Sequence, residues 1–154
     1  MNGKPITILL VDDDPAHAEI VRCNLDDGQI ANQLNCAADG QAALDYSHRV
    51  GPYQDPINSP TLGLVLLDLR LPKVDGLEVL KDMKTVPSPS LSKIPVAVMT
   101  TSAAESDVTR AYENRVNSYV VKPLDVEKFT ALLDVIGYYW VVWNEHRRAK
   151  EMEG

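Results

Sequence analysis

Five short strand-like runs, each separated from the next by a helical or loop segment, constrain the fold of this chain more than any other feature. The runs are ITILLV, QLNCAAD, LVLLDL, PVAVMTTS and NSYVV, of which the second is the weakest. Unbroken apolar, β-branched runs are typical of strands buried on both faces of a parallel sheet. Their regular alternation with helical patterns predicts an α/β domain.

The connections between these strands limit the topology, because crossovers between parallel strands are right-handed. For five strand–helix units we predict a flavodoxin-like, doubly wound, five-stranded parallel sheet of order 2-1-3-4-5 with five helices. The last helical pattern runs from Asp125 to about Lys150, so the last helix is extended. A chain of 154 residues suits one domain, 1–154, and is too short for two ordinary ones.

The charge balance restricts the partners. The chain has 22 acidic and 15 basic side chains and a formal net charge of −7, which argues against nucleic-acid binding. No apolar run approaches the roughly 20 residues that span a bilayer. The apolar stretch near the N-terminus is short and ends in three acids, unlike a signal peptide. We therefore expect a cytoplasmic protein without nucleic-acid or membrane partners.

The predicted strands end at residues that suit chemistry. Asp12 and Asp13 follow the first strand, Asp68 ends the third, Thr100 ends the fourth and Lys122 follows the fifth. Ligands of an open α/β sheet bind beyond the carboxyl ends of its strands, near the switch in strand order. Since the first and third strands are neighbours in the predicted order, their three carboxylates are expected to meet in one pocket.

Such a group of acids needs a positive charge to offset its negative charge, because crowded carboxylates repel one another. A hard divalent cation with oxygen ligands provides it, and Mg²⁺ is the predicted cofactor. The acids at the first strand could instead simply cap the following helix, but two or three in a row exceed that need. Asp68 is then placed as a nucleophile that forms an acyl phosphate, with Lys122 and Thr100 binding phosphoryl oxygens.

Four segments, LLVDDD, LLDLRLPKVDG, VAVMTTS and SYVVKP, resemble the motifs of response-regulator receiver domains of two-component signalling. They occur in the family's order and spacing, and the resemblance covers about Ile6 to Leu133. It implies that Asp68 accepts a phosphoryl group from a histidine kinase. The TTS segment, the proline-bearing loop before the third strand and the extended last helix resemble the stand-alone regulators paired with phytochrome-type kinases.

The same resemblance implies a ligand set for the metal. Asp13, Asp68 and the main-chain carbonyl of Arg70 would bind Mg²⁺, with Asp12 acting nearby through water. These residues lie at the ends of the first and third predicted strands. The resemblance thus implies a metal site that includes the acceptor carboxylate.

It also implies a switch. The peptide bond between Lys122 and Pro123 would be cis, which proline tolerates and which would aim the lysine. Thr100 would move toward the phosphoryl group on Asp68, and Tyr119 would turn inward behind it. That change would reshape the face made by the fourth helix, the fifth strand and the fifth helix.

The end of the last helix is more apolar than a receiver core requires. Residues 134–150 are predicted to be a dimer arm, because clustered aromatic residues commonly mark protein interfaces. The alternative is that Trp140 and Trp143 fold back onto their own domain. The predicted contacts of a twofold dimer are Phe129, Ile136, Tyr139, Trp140 and Trp143.

Other functions are less consistent with the residues. A Mg²⁺-dependent aspartyl phosphatase usually needs a second acid two residues after the nucleophile, where this chain has Arg70. A flavin module would need phosphate-binding residues after the first strand, where DDD would repel a phosphate. A receiver-like binding module without phosphorylation stays open, but we expect a signalling protein and not an enzyme.

The three histidines show no pairing with each other or with the cysteines. We therefore interpret His17, His48 and His146 as surface residues. His17 lies on the first predicted helix, which kinases of the resembled family contact.

Overall fold

The computed structural model describes residues 6–27, 32–54, 62–85 and 93–135. In these ranges five strands alternate with five helices, and a single 3₁₀ turn follows the second helix. The strands are β1 (Ile6–Val11), β2 (Asn32–Ala37), β3 (Leu64–Leu67), β4 (Val96–Thr100) and β5 (Ser118–Val121). The helices are α1 (Pro15–Asp27), α2 (Gly40–His48), α3 (Gly76–Thr85), α4 (Glu105–Glu113) and α5 (126–135 in the described residues), and the 3₁₀ turn is Gly51–Gln54.

All neighbouring strands are parallel, and their order is β2-β1-β3-β4-β5, which confirms the predicted flavodoxin-like topology. Val11 of β1 pairs with Leu67 of β3, so these two strands end at the same level. The main-chain N–H of Asp68 donates to the carbonyl of Val11 at 2.9 Å, one step beyond the paired strands. This register brings the acids after β1 beside the acid after β3.

The core has two parts, one on each face of the sheet, because successive strand residues point to opposite faces. Leu9 and Val11 of β1 belong to a cluster that includes residues of α2, α3 and α4. Ile8 and Leu10 belong to a second cluster, to which α1 and α5 contribute. The two layers of helices hold the carboxyl ends of β1 and β3, where the acids lie, in a fixed position.

Side-chain caps begin three of the helices. The carboxylate of Asp14 accepts the N–H of Ala16 at 2.9 Å at the start of α1. Asp39 accepts the N–H of Ala42 at 2.8 Å at the start of α2. Asp125 accepts the N–H of Glu127 at 2.8 Å before α5. Short acidic side chains satisfy the free N–H groups of a first turn, and the cap at Asp125 agrees with the predicted start of the last helix.

The structure corrects one predicted dimer contact. Phe129 is 3% exposed and lies in the second core cluster, so its prediction as a contact with another copy is wrong. From α5 its ring packs against His17 of α1 and the residues of the second cluster, which leaves almost none of its surface for a partner. The other predicted contacts, Ile136, Tyr139, Trp140 and Trp143, lie outside the described residues.

None of the helices in the described part of the chain has the length and apolar character needed to cross a bilayer.

Candidate functional site

Three carboxylates meet where β1 and β3 end. One oxygen of each of Asp12, Asp13 and Asp68 lies within 4.8 Å of the others. The side chain of Asp12 is 2% exposed and that of Asp68 is 12% exposed, whereas Asp13 faces solvent. Negative oxygens at this separation fit a hard divalent cation, and an exposed member leaves a path for the ion to enter. The predicted convergence of the three acids is therefore observed.

Lys122 is the buried cation of this group. Its side chain is 2% exposed, and Nζ lies 2.5 Å from Oδ2 of Asp12 and 3.2 Å from Oδ2 of Asp68. Its main-chain N–H donates to the carbonyl of Thr100 at 2.7 Å, which aligns the end of β5 with the end of β4. A buried ammonium is tolerated only beside such partners. It joins the two less exposed acids of the cluster, Asp12 and Asp68.

The peptide bond before Pro123 differs from the expectation. No cis peptide bond occurs in the described residues, so the bond from Lys122 to Pro123 is trans and the cis expectation is wrong for this structure. Here Lys122 reaches Asp12 and Asp68 from the trans form.

The loop after Asp68 is pressed against the helix that follows it. The N–H of Arg70 donates to Oδ1 of Asp68 at 3.1 Å, and the N–H of Gly76 donates to the carbonyl of Leu69 at 3.0 Å. A Cβ at position 76 would lie 2.3 Å from the carbonyl oxygen of Asp68. Glycine is required there because the backbone of α3 passes directly against the acceptor residue.

The side chain of Arg70 turns away from the acids and toward α4. Its Nη2 donates to Oδ2 of Asp107 at 2.9 Å, and the hydroxyl of Ser102 donates to the same oxygen at 2.6 Å. Asp107 is buried and therefore needs such partners. The position two residues after Asp68 thus carries a guanidinium bound to α4, with no carboxylate to serve as the second acid of a phosphatase.

The two predicted switch residues are linked through Ser102. Thr100 is fully buried, and its Oγ1 accepts the N–H of Ser102 at 3.4 Å. The hydroxyl of Tyr119 donates to the carbonyl of Ser102 at 2.8 Å. Tyr119 is half-buried, and burial raises the pKa of its phenol above the ordinary value. The loop after β4 therefore contacts both residues.

His17 was not expected in the site. Its Nδ1 lies 3.1 Å from Nζ of Lys122 and 3.6 Å from Oδ2 of Asp12, and its side chain is 29% exposed. The interpretation of His17 as a plain surface residue is therefore wrong. Its place in the first turn of a helix that starts right after the acids was an available signal. His48 is exposed, as expected, and pairs with Asp82 at 2.8 Å.

The family model for the response regulator receiver domain matches residues 8–134. The chain belongs to the response regulator receiver domain family. The acids, the lysine and the hydroxyl at the strand ends lie within this match, and the resemblance inferred from four short motifs is confirmed. This receiver domain is a response regulator of two-component signalling.

Two relatives match nearly the whole receiver domain. The probable methanogenesis regulatory protein FilR2 of Methanothrix harundinacea is 44% identical over 142 residues, which cover 91% of this chain and 86% of FilR2. Response regulator Rcp1 of Synechocystis sp. is 39% identical over 140 residues, covering 91% of this chain and 92% of Rcp1. The crystal structure of the Mn²⁺-bound form of Rcp1 has a TM-score of 0.81, with 40% identity, 88% of this chain covered and 94% of that one.

A third relative is a phytochrome response regulator. The crystal structure of the phosphorylated cyanobacterial phytochrome response regulator RcpA has a TM-score of 0.82 and 32% identity, covering 89% of this chain and 94% of that one. Receiver domains bind Mg²⁺ at their acidic pocket, and the pocket of this chain has the donor set for it. The predicted cofactor class therefore agrees with the family.

Proposed function

We propose that this receiver domain is a stand-alone response regulator that accepts a phosphoryl group on Asp68 from a phytochrome-type histidine kinase. The observation that carries the proposal is the position of the Asp68 carboxylate. One of its oxygens lies 3.2 Å from the Lys122 ammonium, and the carboxylate is clustered with the two other acids, Asp12 and Asp13. A phosphoryl acceptor needs this combination of a nucleophilic oxygen, a fixed cation and a place for a metal.

The transfer is a substitution at phosphorus. One oxygen of the Asp68 carboxylate attacks the phosphoryl group of the kinase's phosphohistidine. The new O–P bond forms as the N–P bond breaks, and the imidazole leaves with the bonding electron pair and takes up a proton. The product is an acyl phosphate on Asp68, partly accessible because its side chain is 12% exposed.

The metal would be held by the carboxylates of Asp13 and Asp68 and the main-chain carbonyl of Arg70, with Asp12 close by. When bound, Mg²⁺ would offset negative charge on the transferring phosphoryl oxygens. The N–H of Arg70 donates to Oδ1 of Asp68, which orients the carboxylate and keeps the other oxygen, Oδ2, on the lysine side. Asp13 is the exposed member and the one that an incoming ion would meet first.

Lys122 and Thr100 supply the remaining contacts. The lysine ammonium passes from the Asp68 carboxylate to the new phosphoryl oxygens, so its charge stays compensated throughout. The buried Thr100 hydroxyl donates its O–H to a phosphoryl oxygen, and in moving toward it Oγ1 draws away from the N–H of Ser102, from which it accepts. Tyr119, whose hydroxyl is bonded to Ser102, follows the movement of this loop.

The output of the switch is a protein surface formed by α4, β5 and α5. Exposed apolar side chains support this assignment, since they cover the end of β5 and the start of α5. Leu124 is 95% exposed, Val126 60% and Val121 44%. A second copy of the receiver domain is the proposed partner, bound through this face and the arm at residues 134–150.

Intact-protein mass spectrometry tests the acceptor. The wild type and Asp68→Asn would each be incubated with acetyl phosphate or with a phosphorylated phytochrome-type histidine kinase, with Mg²⁺ or with a chelator. We expect one phosphoryl adduct on the wild type that requires both Mg²⁺ and Asp68. Asp75→Asn, an exposed acid in the same loop, is the matched control and should be modified like the wild type.

Two results would contradict the proposal. An adduct that persists in Asp68→Asn would place the acceptor elsewhere. An absence of any adduct with both donors, at times from seconds to hours, would leave a receiver-like binding module.

A further inference from the structure

The Lys122 ammonium has three close partners. Nζ lies 2.5 Å from Oδ2 of Asp12, 3.1 Å from Nδ1 of His17 and 3.2 Å from Oδ2 of Asp68. An ammonium has three N–H donors and no acceptor. Each partner therefore receives one N–H, and the nitrogen of His17 must act as an acceptor. With its side chain 2% exposed, Lys122 has little access to water as a substitute.

This arrangement assigns the tautomer of His17. A neutral imidazole carries its proton on one nitrogen and accepts with the other. If Nδ1 accepts from Lys122, the proton is on Nε2, which lies 3.5 Å from Oδ2 of Asp14. The acid that caps α1 thus faces the N–H side of the ring, and the lysine faces the lone-pair side.

The ring of His17 is held in place by two helices, α1 and α5. It lies in the first turn of α1, and its centroid is 5.5 Å from that of the Phe129 ring at an interplanar angle of 54°. Phe129 is a buried residue of α5. The imidazole is therefore fixed between α1 and α5, which makes it a rigid support for a flexible lysine side chain.

We propose that His17 is a positioning residue for Lys122. Its Nδ1 takes the third N–H of the ammonium and keeps Nζ between Asp12 and Asp68. Without this acceptor, one N–H would lack a partner in a buried pocket and the ammonium would shift toward Asp12, its nearest carboxylate. The effect on phosphorylation rests on the proposed function, but the effect on Lys122 does not.

Two substitutions separate the acceptor from the packing of the ring. In His17→Asn, Oδ1 occupies nearly the position of Nδ1 and can still accept from Lys122. In His17→Leu, an apolar side chain still packs on Phe129 but accepts nothing. His17→Met is the replacement if the leucine variant fails to fold, because its unbranched side chain adapts to the same space.

The first readout is the ¹⁵N–¹H NMR signal of the Lys122 ammonium in metal-free, unphosphorylated protein, assigned by its loss in Lys122→Met. We expect a shifted or exchange-broadened signal in His17→Leu and a signal like that of the wild type in His17→Asn. A purely structural role for His17 would lower the melting temperature without this difference between the two variants.

The second readout is the rate of phosphorylation by acetyl phosphate at saturating Mg²⁺. We expect His17→Leu to be about tenfold slower and His17→Asn to stay within about twofold of the wild type. An unchanged ammonium signal in His17→Leu, or equal losses in both variants, would overturn the proposal. If the wild type itself takes up no phosphoryl group, the proposed function fails, while the ammonium signal still decides the role of His17.

Discussion

At the scale of single residues, the site depends on charges that offset one another. Lys122 lies between Asp12 and Asp68, and the side chains of Lys122 and Asp12 are each 2% exposed. Removing one member of a buried ion pair leaves the other without compensation, which is more costly than losing the attraction alone. The lysine therefore contributes to stability as well as to the proposed chemistry.

Lys122→Met should lower the free energy of unfolding by about 3 kcal/mol in the presence of a chelator, because Asp12 would be left buried and unpaired. Adding Asp12→Asn should restore part of this loss. Urea unfolding of both single variants and the double variant measures the coupling. Strictly additive effects of the two substitutions would show that the ion pair carries no interaction energy.

Gly76→Ala should destabilise the receiver domain by about 1–3 kcal/mol, because its Cβ would press on the main chain of Asp68 and Leu69. The loop that carries Arg70 would have to move, so we also expect slower phosphorylation. Glu78→Ala, an exposed change on the same helix, is the control for helix propensity. Thermal unfolding compares them, and equal melting temperatures would contradict the close approach.

At the scale of elements, the start of α2 is tied to the loop after Asp68. Asp39 caps α2 through the N–H of Ala42, and its carboxylate lies 3.3 Å from Nζ of Lys73. The N–H of Gly40 donates to the carbonyl of Pro72 at 3.2 Å. A change at this cap should therefore affect both the helix and the loop next to the site.

The hydrogen bond from Ala42, followed by the contact with Lys73, lowers the pKa of Asp39. A carboxyl with a lowered pKa adds stability above its unfolded value of about 3.9, and this stability is lost as the pH falls through the folded pKa. Asp39→Ala should therefore cost about 1 kcal/mol at pH 7 and less below pH 4. Urea unfolding at several pH values tests this, and a pH-independent difference would contradict it.

Asp39→Asn is the matched control for the cap. It keeps an acceptor for the N–H of Ala42 but does not titrate. We expect it to retain most of the stability at pH 7 and to show a weaker acid dependence than the wild type.

At the scale of the whole molecule, the face of α4, β5 and α5 differs from the rest of the described surface in its exposed apolar side chains. Tyr112, Val121, Leu124 and Val126 are each at least 44% exposed there. Val50, at the end of α2, is also exposed, at 51%, but lies on the side of β2, the opposite edge of the sheet.

Leu124→Asp should weaken self-association of the full-length receiver domain at least tenfold, because a carboxylate would have to lose its water in the interface. Val50→Asp introduces the same charge at the other edge and should leave association unchanged. Light scattering after size-exclusion chromatography, with and without acetyl phosphate, measures both. A wild type that stays monomeric in both conditions would contradict the proposed dimer.

The strand order, the core faces and the meeting of Asp12, Asp13, Asp68 and Lys122 follow from local patterns. Apolar runs define strands, and a parallel sheet brings the residues after its strands to one edge whatever the details of packing. The start of the last helix at Asp125 follows equally well, because a cap acts on the N–H groups two or three residues away. This geometry also explains why Asp68, although it directly follows the buried strand LVLL, has the Lys122 ammonium beside it.

Other features depend on contacts between segments that are far apart in the sequence, and local periodicity does not predict such contacts. His17 meets Lys122, 105 residues away, because Lys122 follows β5 and reaches Asp12, which lies just before the helix that carries His17. Phe129 enters the core instead of an interface because α1 and α5 pack on the same face of the sheet. The turn of Arg70 toward Asp107 depends on the position of α4. Close-packed neighbours, and not sequence spacing, select these side-chain positions, since each must fill the space left by the others.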